Sequence, residues 1–180
     1  MSEIDVVITE LTRAGQSMTP GSVEALAEAV RSHSRVFSYA TGRSGLMIKS
    51  FAMRLMQLGF VSFVVGETTT PSLGAGDLLV VASASGETES VVSAARLSKK
   101  VGADLFVISS LESSSLAEVW APDAIIRSGT KYATSAVSIQ PLGSLFEQAL
   151  LIYLDSVSLH LSFMDGESNK EMAARHASIE

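Results

Sequence analysis

The chain has 180 residues, enough for one domain with a sizeable core, and no cysteine, which excludes disulfides, thiolate nucleophiles and cysteine-ligated metals. A formal net charge of -6 without any basic run argues against nucleic acid as a partner. Apolar residues make up 47% and charged residues 18%, more apolar surface than a small monomer usually hides, so association into an oligomer is expected.

The opening "MSEIDVVITEL" is acidic and too polar for a signal peptide, and no apolar run approaches the roughly 20 residues of a membrane span. A cytoplasmic protein with no membrane partner is expected. "IDVVITELTRAG" and "GSVEALAEAVRSH" read as two helices broken at Thr19-Pro20-Gly21, with Val23, Leu26, Ala27 and Val30 recurring at helical spacing in the second. Five short apolar runs follow: Val36 to Tyr39, Val61 to Val65, Leu78 to Ala82, Leu105 to Ile108 and Ala124 to Ile126. Bounded by Gly, Ser, Asp or Pro, they read as strands buried on both faces. Helical patterns lie between them at Ser44 to Leu58, Thr88 to Val101 and about Leu116 to Val119. A long helix follows Pro141, a residue suited to the first helical position, and a short one covers about Asn169 to His176. Strand and helix alternate, which predicts an α/β domain with parallel strands and helices on both faces. One domain is expected: N-terminal helices over 1–33, an α/β core over 34–164 and a C-terminal helix and tail over 165–180.

The helix from Ser44 keeps Lys49, Ser50, Arg54 and Gln57 within an arc of roughly 140°. The rest of its girth is apolar, which fits either a central core helix or a subunit contact.

Two loops carry the chemistry. "VVASASGETESVV" leaves a strand and enters a helix near Thr88. Ser83, Ser85 and Thr88 offer hydroxyl donors, Gly86 permits a tight turn, and the helix start offers unpaired amides, so the loop can hold a phosphate without a cation. An ordinary strand-to-helix turn with Thr88 as N-cap accounts for the same residues. "YATGRSGLMIKS" is of the same type, with Ser44 beside Arg43 and Lys49 as cations; Arg43 can equally be a solvated surface residue. Loops on adjacent strands make one cleft for an anionic small molecule. Neither is a dinucleotide or ATP loop. Glu147 sits in an otherwise apolar helix, which suits a base shielded from water, although Ser144, Glu147, Gln148 and Asp155 also share one face and fit a solvated stripe. His33 and His160 read as structural, and three unclustered histidines make a zinc site improbable.

With both loops in hand, the sequence resembles the sugar isomerase (SIS) domain family, and most closely its 6-phospho-3-hexuloisomerase branch. The segments that carry the likeness are "GRSGLMIKSFAMRLMQLGF", "VVGETTTP", "SGETESVVSAARLSKKVGA", "QPLGSLFEQALLIYLD" and "RHASIE". The phosphate loop departs from the family's usual SGSGET in having Ala82 and Ala84 around Ser83; both changes keep the residues small. The resemblance implies a three-layer αβα, flavodoxin-like fold with a five-stranded parallel sheet, assembled as a homotetramer. It implies isomerisation of D-arabino-3-hexulose 6-phosphate to fructose 6-phosphate in the ribulose monophosphate pathway, downstream of 3-hexulose-6-phosphate synthase, with no metal or organic cofactor. Carried onto this chain, the phosphate site is Ser83, Ser85, Gly86 and Thr88 with Ser44 and Arg43. The base is Glu147, and His176 lies near the site, in this or a neighbouring subunit. Glu67, Thr68 and Pro71 are expected to line the cleft or hold a neighbour. Glu87 is a possible second acid, more simply a first-turn residue serving the helix dipole, and Lys131 a minor attractor of phosphate. An isomerase for another phosphosugar such as arabinose 5-phosphate, or a non-catalytic sugar-phosphate-binding regulator, would use the same domain.

Overall fold

A computed structural model describes residues 2–130, 137–166 and 169–176. The five apolar runs form one parallel sheet in the order β2-β1-β3-β4-β5. The strands are β1 Arg35–Tyr39, β2 Ser62–Val64, β3 Asp77–Ser83, β4 Asp104–Ser109 and β5 Ala124–Ile125. In register, Val36 of β1 stands between Ser62 of β2 and Leu78 of β3. The helices are α1 Glu3–Gln16, α2 Ser22–Ser32, α3 Gly42–Gln57, α4 Glu89–Val101, α5 Ser115–Val119, α6 Ser144–Asp165 and α7 Asn169–Ala174.

Alternation along the strands divides the core into two layers. Leu78, Val80 and Ala82 of β3 pack with Phe106 and Ile108 against α1, α2, α3 and α6, whereas Leu79, Val81 and Val107 pack against α4 and α5. β3 is buried throughout, as its unbroken run "DLLVVAS" requires. Burial on both faces does not hold for β2: it is an edge strand, half-buried at all three residues. From β1 the chain moves outward to β2, then returns to β3 and continues the other way. The loops after β1 and β3 therefore part, leaving a crevice at the carboxyl ends of the two strands.

Three helix readings need correction. α3 begins at Gly42, so Arg43 and Ser44 lie in its first turn and not in a loop before it. Gln57 is buried and not on a solvated arc, with its side-chain oxygen accepting from Arg54 at 2.6 Å. α3 leaves Leu46, Met53 and Met56 exposed, and α6 leaves Ile152, Leu159 and Phe163 exposed. α6 begins at Ser144, three residues after Pro141, because Leu142 takes a positive φ of 54° that no helix can contain. Glu147 thus stands in the first turn of α6.

At the amino ends of the strands, Arg35 and Asp77 form a two-pronged ion pair, with Asp77 also accepting from the Gly74 amide. Beside it, His33 places Nδ1 2.7 Å from the Ala29 carbonyl and Nε2 2.9 Å from the Asp104 carboxylate. Both ring nitrogens face acceptors, which is a structural role, as expected. Burial pushes the imidazole pKa down, but these two bonds outweigh it and the net shift is upward.

Candidate functional site

A cavity of about 290 Å³ opens at the crevice between β1 and β3. Three walls form it: Thr41 to Ser44 at the start of α3, Ser83, Ser85 and Thr88 before α4, and Leu142, Gly143 and Glu147 at the start of α6, with Thr130 between. Two sequence-predicted loops and the predicted base therefore meet in one cleft.

Helix starts in this chain differ in their capping, and α2, away from the cleft, is uncapped at Gly21. α1 is closed by a capping box from Ser2, and α5 by the Ser114 hydroxyl, which accepts from the Ala117 amide at 3.2 Å. By contrast Thr41, Thr88 and Gly143, the N-caps of α3, α4 and α6, make no side-chain capping bond. Three helix starts, each the positive end of its dipole, thus reach the cleft without a capping side chain. That arrangement suits an anion and uses no buried cation.

Within the β3–α4 loop the Ser83 hydroxyl accepts from the Gly86 amide at 3.1 Å and donates to Thr88 Oγ1 at 3.2 Å. Ser85 Oγ accepts from the Glu87 amide at 3.2 Å. The Ser110 amide donates to the Ala84 carbonyl at 3.2 Å, tying the loop to the end of β4. Gly86 is not a wall of the cavity. It makes the turn, with φ 65°, and packs so closely that a Cβ there would overlap the Ser114 hydroxyl. Gly45 has a similar duty, since a Cβ there would lie 2.8 Å from the Ala40 carbonyl oxygen. Its bareness lets α3 approach the end of β1, which sets Arg43 and Ser44 at the cleft.

The Glu147 side chain is 16% exposed, and Arg43 Nε donates to its Oε2 at 2.5 Å. Its other oxygen stands over Gly143, 3.6 Å from where a Cβ would be. The candidate base therefore bends back toward the start of its own helix, facing the phosphate-type loop across the cavity, and is not part of a solvated stripe.

Other candidates lie elsewhere. His176 is exposed at the end of α7, and the adjacent Arg175 donates to the Gln57 carbonyl at 2.9 Å. That carbonyl closes the far end of α3, roughly 24 Å from the cleft for a 16-residue helix. The chain does not bring His176 to its own cleft. Lys49 pairs with Glu67 at 3.2 Å, and neither residue, nor Thr68 or Pro71, lines the cavity. Glu87 serves a helix dipole, but that of α5: its carboxylate accepts from the Ser115 hydroxyl at 2.6 Å and the Ser115 amide at 2.9 Å. These bonds, the hydroxyl's first, hold its pKa below the usual glutamate value. Lys131 lies outside the described residues. Among the described residues no three His, Asp or Glu side chains gather as a metal-binding group, and no helix is long and apolar enough to cross a membrane. Phe146, Thr130, Leu142 and Gly143 are the wall residues that sequence reasoning missed. "QPLGS" held a signal for the last two, because a glycine two places after a proline marks a turn before a helix.

The SIS domain model matches residues 29–152. The 3-hexulose-6-phosphate isomerase of Bacillus subtilis is 37% identical, the alignment covering 97% of this chain and 95% of that protein. The enzyme of the same name from Mycobacterium gastri is also 37% identical, over 99% of this chain and 90% of its own. Among solved structures, a hypothetical protein of Methanococcus jannaschii, for which a 3-hexulose-6-phosphate isomerase function was inferred, superposes with a TM-score of 0.83. It is 30% identical, and each chain is covered in full. The sheet order, the cleft and these relatives agree: the chain belongs to the SIS domain family, in the company of proteins named 3-hexulose-6-phosphate isomerase.

Proposed function

We propose that the protein isomerises D-arabino-3-hexulose 6-phosphate to D-fructose 6-phosphate. The observation that carries the reading is that a largely buried carboxylate, Glu147, and the hydroxyl-rich loop Ser83 to Thr88 share one cavity. Ser83, Ser85, Thr88 and Ser44 bind the phosphate together with the uncapped starts of α3 and α4, and Arg43 adds positive charge at the rim. Glu147 removes the proton from C2 while the C3 carbonyl oxygen takes one up, giving a cis-enediol. The enediol then collapses the other way: C3 receives a proton and the C2 oxygen gives one up. No electron acceptor is needed, because the carbonyl only moves between adjacent carbons. With the 6-hydroxyl phosphorylated, a C3 ketone has no hydroxyl placed to close an unstrained ring, so no ring opening is required in this direction.

The proton donor to the oxygens is His176 of another copy in a cytoplasmic homotetramer. The exposed apolar residues of α3 and α6 support such an assembly. The substrate comes from a synthase that joins formaldehyde to ribulose 5-phosphate. The test mixes the protein with that synthase, ribulose 5-phosphate and formaldehyde, and measures fructose 6-phosphate. Formation of product at a rate set by this protein is expected. No product from folded protein sinks the reading, and turnover of arabinose 5-phosphate instead, or binding of sugar phosphates without turnover, redirects it to another isomerase or to a regulator.

A further inference from the structure

No residue of α1 lines the cleft, yet one of its side chains grips the segment that builds the third wall. Glu10 is only 8% exposed. Its carboxylate accepts from the Ser138 hydroxyl at 2.6 Å, the Ile139 amide at 2.8 Å and the Gln140 side-chain amide at 2.9 Å. Three consecutive residues, some 130 positions away in sequence, thus converge on one buried charge. A carboxylate withdrawn from water is costly unless its lone pairs are occupied, and here they are. Burial pushes the Glu10 pKa up, but the three donors outweigh it and the net shift is downward.

Directly after the gripped residues come Pro141, then Leu142 in the left-handed region, then Gly143, over which the Glu147 carboxylate lies. A leucine with φ 54° persists only where its flanks over-determine it. One flank is fixed by Ser144, whose amide and hydroxyl both donate to the Pro141 carbonyl, the hydroxyl at 2.7 Å. The other flank is fixed by Glu10. We infer that Glu10 is a positioning residue: by clamping residues 138–140 it sets the left-handed turn at Leu142 and so the stance of Gly143 and Glu147 against the Ser83–Thr88 loop. This rests on the proposed isomerisation. Docking of α1 alone would not need three bonds to a loop, and it would not couple α1 to the chemistry.

The test uses the full chain with Glu10→Gln and Glu10→Ala, and approaches the clamp from the loop with Gln140→Ala, which leaves α1 intact. Melting temperature, the calorimetric Kd for inorganic phosphate, and kcat and KM for the isomerisation are measured for each. Displacing a reacting group by about 1 Å costs on the order of 100-fold, so kcat is expected to fall about 10- to 100-fold in Glu10→Ala. Smaller losses are expected in Glu10→Gln, which keeps one acceptor oxygen, and in Gln140→Ala. The phosphate Kd should stay within about twofold of wild type, because that loop hangs from β3 and α4. Unchanged kcat in folded variants, or kcat and phosphate affinity falling in step with the melting temperature, overturns the inference while an active wild type leaves the proposed function standing. An inactive wild type overturns both.

Discussion

Replacing Gly86 with alanine tests the construction of the anion loop at its tightest point. The backbone there has φ 65°, where an L-residue costs roughly 1–2 kcal/mol. The new Cβ would overlap the Ser114 hydroxyl and stand 2.5 Å from the Ser114 Cβ. Neither side can retreat cheaply. Gly86 is held by its amide bond to Ser83 and by the Leu116 amide, which donates to its carbonyl at 2.9 Å. Ser114 caps α5, a bond worth about 1 kcal/mol. Overpacking of this kind costs about 1–3 kcal/mol, so the whole is on the order of 3–4 kcal/mol. For a chain of this length that lowers the melting temperature by roughly 10 °C. Because the displaced segment carries Ser85 and Thr88, phosphate affinity should fall as well. Thermal unfolding followed by circular dichroism, with titration of inorganic phosphate, reads both. Adding Ser114→Gly removes the obstructing atoms and, as an N-cap, glycine costs only a few tenths of a kcal/mol, so the double variant should recover all but the backbone penalty. An alanine variant as stable as wild type, or a double variant no better than the single one, would refute this account of the turn.

Glu147→Gln should reduce turnover by about 10²–10⁴ while sparing the phosphate Kd, since the amide cannot take the C2 proton and the phosphate loop is untouched. Turnover that survives assigns the base elsewhere. His33 gives a pH signature. Its pKa is raised in the folded chain, so its contribution to stability is full below pH 6.5 and is lost as pH rises through the folded value. The melting-temperature gap between wild type and His33→Gln should therefore be widest in mild acid and narrow toward about pH 8. A gap that does not vary with pH contradicts the doubly bonded imidazole.

The sheet was legible because each strand is a short apolar run, and the αβ alternation admits few topologies. Ser83, Ser85 and Thr88 were legible as a loop because small hydroxylated residues between a strand and a helix have a local meaning. What could not be read locally came from contacts far apart in sequence. Glu87 looks like a first-turn acid of α4, yet its partner is Ser115 on α5. Gln57 sits on the polar arc by periodicity, yet Arg54 lies against its side chain and Arg175 against its carbonyl. Proline at 141 argues for a helix start by its fixed φ, and the reversal at Leu142 overrides it. Glu10 reads as one more surface acid of an amphipathic helix, because its three donors lie about 130 residues away.

The tie between Ser110 and Ala84 bears on how this loop can diverge. With that carbonyl committed to the neighbouring strand, the loop's acceptor is turned aside and its polarity toward a ligand is set by the main chain. Substitution cannot delete a peptide group. A change at position 84 to another residue without bulk therefore keeps this tie, whereas any side chain at 86 would meet Ser114.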